Sequence, residues 1–218
     1  MAEDKKAVVF GSSGFIGSKL TGQLAGREEF DSVVAVNRRP LPGLPDTVRE
    51  VINDLSDTSS LASLFPSAHI FVALGTTLKK AGSREAFRVV DYELPVALAE
   101  LARDYPALRF LMVSSVGADS TSASFYLKTK GQAEEKVREI LGEKAVFFRP
   151  SILMGERDEF RFSEEAGKAI MRLLGPLFVG PLARYRGVEG EDVARAMIEA
   201  SLMDSPEPVY ESEMIARD

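Results

Sequence analysis

Short apolar and β-branched runs at 7–10, 32–37, 48–53, 69–74, 109–114 and 145–149 alternate along the chain with segments whose apolar residues return at helical spacing, near 15–25, 58–64, 83–103 and 124–141. Runs of this length and composition read as strands buried on both faces, and the alternation is that of a parallel sheet covered by helices. The expected fold class is α/β, a single doubly wound parallel sheet. A last helix near Glu191 to Leu202 and a short strand over 208–215 would close it. Within 83–103, Pro95 predicts a break or a first-turn position, because proline has no N–H to give to the preceding turn. The stretch Pro40-Leu41-Pro42-Gly43-Leu44-Pro45 is punctuation, since the strand-helix alternation resumes after it. Residues 1–218 are therefore read as a single domain. Past Ser151 the alternation weakens, and 151–187 is expected to form a small helical substrate or lid region. There Phe160, Phe162, Leu173, Leu174 and Phe178 mix with charge, glycine and proline, a composition suited to a mobile cover.

Between the first strand and the first helix lies Gly11-Ser12-Ser13-Gly14-Phe15-Ile16-Gly17. Glycines at this junction allow a sharp turn out of the strand, close approach of the backbone to phosphate, and tight packing of the new helix on the sheet. The helix N-terminus then faces an anion, which is the arrangement of a dinucleotide pyrophosphate site. The second strand ends in Asn37-Arg38-Arg39, about 20 residues after the last glycine, where such a unit reads the adenosine ribose. An acidic residue there would accept from the ribose hydroxyls and repel a 2′-phosphate. A neutral Asn37 followed by two guanidinium groups favours the phosphate instead, so NADP(H) is expected over NAD(H).

Composition narrows the chemistry. The 218 residues carry 27 Lys and Arg against 33 Asp and Glu, a net charge of −6, which argues against a general nucleic-acid surface. With no cysteine and one histidine, His69, there is no disulfide framework and no thiolate metal site; a histidine-based metal site or a serine-histidine triad is not expected. The first residues, Met-Ala-Glu-Asp-Lys-Lys, have no apolar signal core, and no apolar run approaches a membrane span. These features lead to the expectation of a cytoplasmic protein with a small-molecule substrate, no membrane partner and homodimerisation left open.

Strand 109–114 delivers Ser114 and Ser115 to the end of the sheet where ligands of open α/β folds bind, and the following helix opens with Tyr126-Leu127-Lys128-Thr129-Lys130. Tyr126 and Lys130 are four apart and share a helix face. An ammonium one turn from a phenol favours the phenolate, so the phenol can exchange a proton with a carbonyl or alcohol oxygen near neutral pH. A serine hydroxyl would hold the same oxygen. Adjacent strand residues point to opposite faces, so only one of Ser114 and Ser115 can do so.

GSSGFIG, Asn37-Arg38-Arg39, Val113 to Asp119, Tyr126 with Lys130, and Phe148 to Leu153 together resemble the short-chain dehydrogenase/reductase superfamily. The short length and Ser-Ser-x-Gly-Ala-Asp look like its atypical branch, the Tat-interacting-protein-like oxidoreductases. The resemblance implies a Rossmann fold and a Ser115, Tyr126, Lys130 catalytic set. It also implies a pyrophosphate turn spanning Gly11, Ser13, Gly14, Phe15, Ile16 and Gly17. Asn37, Arg38 and Arg39 would meet the adenosine ribose, with Arg38 on the 2′-phosphate. Asp54 and Leu55 would lie beside adenine, and Ala73, Leu74, Gly75 and Thr76 along the cofactor ribose with Lys130. Pro150 and Ser151 would approach the nicotinamide. Asp91 departs from the pattern, standing where many members carry an asparagine that supports a proton relay. The large C-terminal substrate domain of extended members is missing, which disfavours a sugar nucleotide as substrate.

His69 reads as a satisfied boundary histidine, and Lys79, Lys80 and Arg84 as solvated charges after the fourth strand. Two functions follow: an NADP(H)-dependent oxidoreductase of a small carbonyl or alcohol, and a cofactor-binding sensor or interaction module with little turnover.

Overall fold

A computed structural model of the protein describes residues 5–151, 153–154 and 187–216. Seven strands form one sheet in the order β3-β2-β1-β4-β5-β6-β9. They are β1 (Lys6–Phe10), β2 (Ser32–Asn37), β3 (Val48–Ile52), β4 (Ala68–Val72), β5 (Arg109–Val113), β6 (Ala145–Arg149) and β9 (Val209–Glu211). Every pairing is parallel; β1 at the centre places Ala7 beside Val33 of β2 and His69 of β4. The order reverses beside β1, which opens a crevice at the carboxyl ends of β1 and β4. The doubly wound Rossmann sheet is as expected.

Successive strand residues point to opposite faces, so each strand feeds two cores. Ala7, Val9, Phe71, Leu111 and Phe148 face one side, where α1 (Phe15–Ala25) brings Leu20 and Leu24 and α6 (Gly190–Leu202) brings Val193, Ala194 and Met197. Val8, Phe10, Ile70, Val72 and Phe110 face the other. Leu98 and Ala99 of α4 (Leu94–Asp104) and Ala133 and Val137 of α5 (Phe125–Leu141) cover that side. Leu20 and Leu24 are fully buried, each contributing about 1.5–3 kcal/mol of transfer free energy.

Several element boundaries differ from expectation. The 58–64 segment winds as a tighter 3-10 helix, Thr58–Leu64, capped by the Asp57 carboxylate. The single helix expected over 83–103 is three pieces: α3 (Arg84–Arg88), a π-helical turn Val89–Glu93, and α4, preceded by a short α2 (Leu78–Ala81). Pro95 sits in the first turn of α4, where the π turn has already interrupted the regular ladder and no N–H is required. At the chain's end only Val209–Glu211 is strand, and α7 (Ser212–Ile215) follows at once. A two-stranded parallel pair of β7 (Leu153–Met154) and β8 (Val188–Glu189) was not expected; its strands are too short to show a period. The cover anticipated over 151–187 falls largely on 155–186, outside the described residues.

Candidate cofactor and catalytic site

The glycine turn is shaped by contacts that admit no side chain. Gly11 has φ +88°, and a Cβ there would stand 2.8 Å from the carbonyl oxygen of Ala73; one at Gly17 would stand 2.1 Å from that of Gly11. Gly14 caps α1 with no side chain, its N–H donating to Gly11 O at 2.9 Å, and the first turn of α1 contains no acidic residue. The first turn of a helix is short of intrahelical partners for its N–H groups and carries a positive field. Ser13 is exposed beside them. Ile16 sends its side chain into the core, so it can offer a ligand only its backbone.

At the end of β2 the side chain of Asn37 is buried and bonded internally. Its Oδ1 accepts from Ser12 Oγ at 2.6 Å, and its Nδ2 donates to Glu50 Oε1 at 2.8 Å. Arg38 and Arg39 are exposed and pair with no carboxylate among the described residues. Past β3, Asp54 Oδ1 accepts from both the N–H and the hydroxyl of Ser56, which hold its carboxyl below the usual range. Leu55 has φ +66°, held by its N–H donating to Asn53 Oδ1 at 2.7 Å. A bulky residue in the left-handed region is strained, and such strain collects where a ligand must be met.

The later strands and α5 assemble the titratable group of the site. Lys130 lies on α5 and Asp91 on the π turn, and Lys130 Nζ is 2.8 Å from Asp91 Oδ1 with side chains 7% and 0% exposed. Asp91 Oδ2 accepts from Thr76 N–H at 2.9 Å, which joins the pair to the loop after β4. Gly75 lies against the pair: a Cβ there would be in ordinary contact with Asp91 Oδ1 at 3.5 Å and Lys130 Nζ at 3.8 Å. Burial alone would push the Lys130 ammonium down, but Asp91, Tyr126 and Glu134 outweigh it and its pKa is raised, so it stays charged. Tyr126, one turn earlier, is half-buried with its ring 5.7 Å from that of Phe87. The Ser124 hydroxyl accepts from Leu127 N–H and sets the start of α5.

Ser114 and Ser115 follow β5. Ser114 is buried with its hydroxyl lacking a partner among the described residues; Ser115 is part-exposed, its Oγ 3.4 Å from Val116 O. Pro150 is buried and its carbonyl accepts from Val116 N–H at 3.1 Å, tying the end of β6 to the same loop; Ser151 is part-exposed beside it.

Three relationships escaped sequence reasoning: the Asp91–Lys130 pair, the Asn37–Glu50 bond, and Arg149 bridging buried Glu134 at 2.6 Å and Glu211 at 3.0 Å. Each joins residues from separate elements with no fixed spacing. His69 corrects an expectation: it is buried edge-on against Phe30, and neither ring nitrogen has a hydrogen-bond partner among the described residues. Burial, helped by the charges of Lys5 and Arg109, lowers its pKa to about 4. Among the described residues no group of His, Asp and Glu is arranged to hold a metal, and no helix is long and apolar enough to cross a membrane.

The glycine turn, the start of α1 and two exposed guanidinium groups that pair with no carboxylate among the described residues fit a dinucleotide in shape and charge. Comparisons with known proteins agree. The model of the NAD dependent epimerase/dehydratase family matches residues 7–203. "Protein FMP52, mitochondrial" of Meyerozyma guilliermondii is 32% identical over 93% of this chain and 89% of its own length. Protein HTATIP2 of Rattus norvegicus is 33% identical over 74% of this chain and 68% of its own. Among solved structures, a UDP-glucose 4-epimerase of Thermotoga maritima with UDP-glucose superposes with TM-score 0.70 at 16% identity, covering 94% of this chain and 75% of that one. The last likeness speaks for the fold. The expectation of a cytoplasmic setting is overturned, because several fungal relatives at 30–32% identity are named as mitochondrial proteins. Composition does not determine compartment.

Proposed function

The chain belongs to the NAD dependent epimerase/dehydratase family, and from that membership we propose an NADP(H)-dependent oxidoreductase of a small carbonyl or alcohol, in the atypical short-chain branch. Membership brings with it a Rossmann fold and a nicotinamide dinucleotide. In this reading the 11–17 turn holds the pyrophosphate, Arg38 with Arg39 the 2′-phosphate, and Asp54 with Leu55 the adenine. Ala73 to Thr76 and Lys130 lie along the nicotinamide ribose, with Pro150 and Ser151 beyond. When bound, the nicotinamide gives or takes the hydride.

The chain supplies position and a proton. Ser115, the more accessible of the two serines, orients the substrate oxygen, and the Tyr126 hydroxyl exchanges a proton with that oxygen. The observation that supports this most is Lys130: a fully buried ammonium is costly, and here it is kept charged on the same helix face as Tyr126, against the loop after β4. Asp91 supports a second reading, cofactor binding with little turnover, because its carboxylate offsets the charge that would otherwise act on Tyr126.

NADPH absorbance followed across a panel of aldehydes and ketones tests the proposal. Turnover that disappears in Tyr126→Phe is expected. Tight NADPH binding without turnover on any of them would favour the second reading.

A further inference from the structure

Ser12, Asn37, Glu50 and Leu41 form one hydrogen-bonded chain from the glycine turn to the loop after β2. Ser12 Oγ donates to Asn37 Oδ1 at 2.6 Å, Asn37 Nδ2 donates to Glu50 Oε1 at 2.8 Å, and Leu41 N–H donates to the same oxygen at 2.9 Å. Ser12 is 0% exposed and Asn37 5%, so the first link is dry and rigid. Glu50 comes from the middle of β3, where it pairs with Ala35 of β2, and so reaches the loop from below.

The charges of this corner are arranged unusually. Glu50 is a carboxylate beside a loop holding two guanidinium groups, yet its Oε1 is occupied by two neutral donors. Arg38 and Arg39 are left exposed and unpaired among the described residues. A carboxylate accepting two N–H bonds is held firmly, because charge-assisted bonds are stronger than neutral ones. Asn37 is bonded inside the protein through both its amide oxygen and its amide nitrogen.

We propose that Glu50 is the positioning residue of the subsite for the adenosine 2′-phosphate: it pins the Arg38–Leu41 loop through Leu41 N–H, is tied through Asn37 to the pyrophosphate turn, and leaves both guanidinium groups to the phosphate. The inference rests on the NADP(H) reading for the identity of the ligand. For the positioning itself it rests only on these bonds. Glu50 acts through the loop and not on the cofactor itself; it sets where the loop stands when the cofactor arrives, and so how much of the ordering cost is met in advance.

The test is titration calorimetry of the full chain with NADPH and with NADH, for the wild type, Glu50→Gln and Glu50→Ala, together with hydrogen exchange at the Leu41 amide. Glu50→Ala is expected to weaken NADPH about tenfold or more and to expose the Leu41 amide, while NADH changes by less than about threefold. Glu50→Gln keeps an acceptor oxygen and is expected to bind NADPH within about threefold of the wild type. If the alanine variant is unstable, Glu50→Asp takes its place, since it keeps the charge but withdraws it by one methylene from Leu41. Unchanged NADPH affinity with a still-protected Leu41 amide would overturn the inference. Equal wild-type affinity for the two cofactors would overturn the NADP(H) reading alone, and exposure of the Leu41 amide in Glu50→Ala would then uphold the pinning of the loop.

Discussion

Lys130 Nζ and Asp91 Oδ1 stand 2.8 Å apart with almost no solvent access to either side chain, and the carboxylate is itself anchored to Thr76 N–H. A buried pair of this kind contributes little net stability compared with an apolar pair, but breaking it leaves one charge stranded. The pair also joins the two halves of the candidate site, since Asp91 belongs to the π turn and Lys130 to α5.

Asp91→Asn is therefore expected to destabilise the protein by about 3–5 kcal/mol, because the Lys130 ammonium loses its counter-charge in a dry site. Asp91→Asn combined with Lys130→Met is expected to recover more than half of the loss, the stranded charge being gone. Urea unfolding of the two single variants and the double variant measures both. Additive losses in the double variant would mean that the pair does not form in solution.

NADPH is expected to raise the melting temperature more than NADH at equal concentration, because a ligand of the native state stabilises it by mass action. Tenfold tighter binding is about 1.4 kcal/mol, or roughly 3–6 °C for a chain of this size. Arg38→Asp is expected to reverse the order, since a carboxylate accepts from ribose hydroxyls and repels the phosphate. Equal shifts for both cofactors in the wild type would remove Arg38 from its proposed role.

Tyr126→Phe is expected to lower kcat by about 10²–10⁴-fold, the usual worth of a positioned acid or base, with NADPH affinity nearly unchanged. Lys130→Met should damage both, because it also strands Asp91 and removes the donor proposed for the cofactor ribose. Steady-state kinetics paired with calorimetry separates the two effects, and full activity in Tyr126→Phe would end the mechanism.

His69 makes stability depend on mildly acidic pH. Its native pKa, about 4, lies below the ordinary 6.5, so on acidification the unfolded chain takes up the proton first. The contribution is complete above pH 6.5 and is lost as pH falls toward 4, reaching about 3 kcal/mol. Urea unfolding at pH 7 and pH 5 for the wild type and His69→Phe isolates this part from that of the carboxylates. An identical pH dependence in the two proteins would show that folding leaves the His69 pKa unshifted.

Much of the fold could be read from the chain because its signals are local. Six strands lie within two residues of their expected ends. The GSSGFIG turn was legible for the same reason: Gly11 and Gly17 are demanded by contacts a few residues away or one strand over. Tyr126 and Lys130 share a helix face by spacing alone, whatever the rest of the chain does.

What only the tertiary structure decided is where these groups spend their hydrogen bonds and charge. The place of Asn37 at the end of β2 is legible in the sequence, but its bonds to Ser12 of the glycine turn and Glu50 of β3 depend on those elements meeting there. Asp91 was visible as an unusual residue, but its bond to Thr76 and its pairing with Lys130 depend on a π turn bringing it under α5. The 58–64 segment shows helical apolar spacing, but its 3-10 winding is set by packing of Leu61 and Leu64 on the sheet. Periodicity reports which face of an element avoids water. It carries no term for which distant side chain arrives on that face, because strand order and helix crossing bring partners from 13 or 39 residues away into hydrogen-bond range, and dense packing fixes that choice only when the whole sheet has closed.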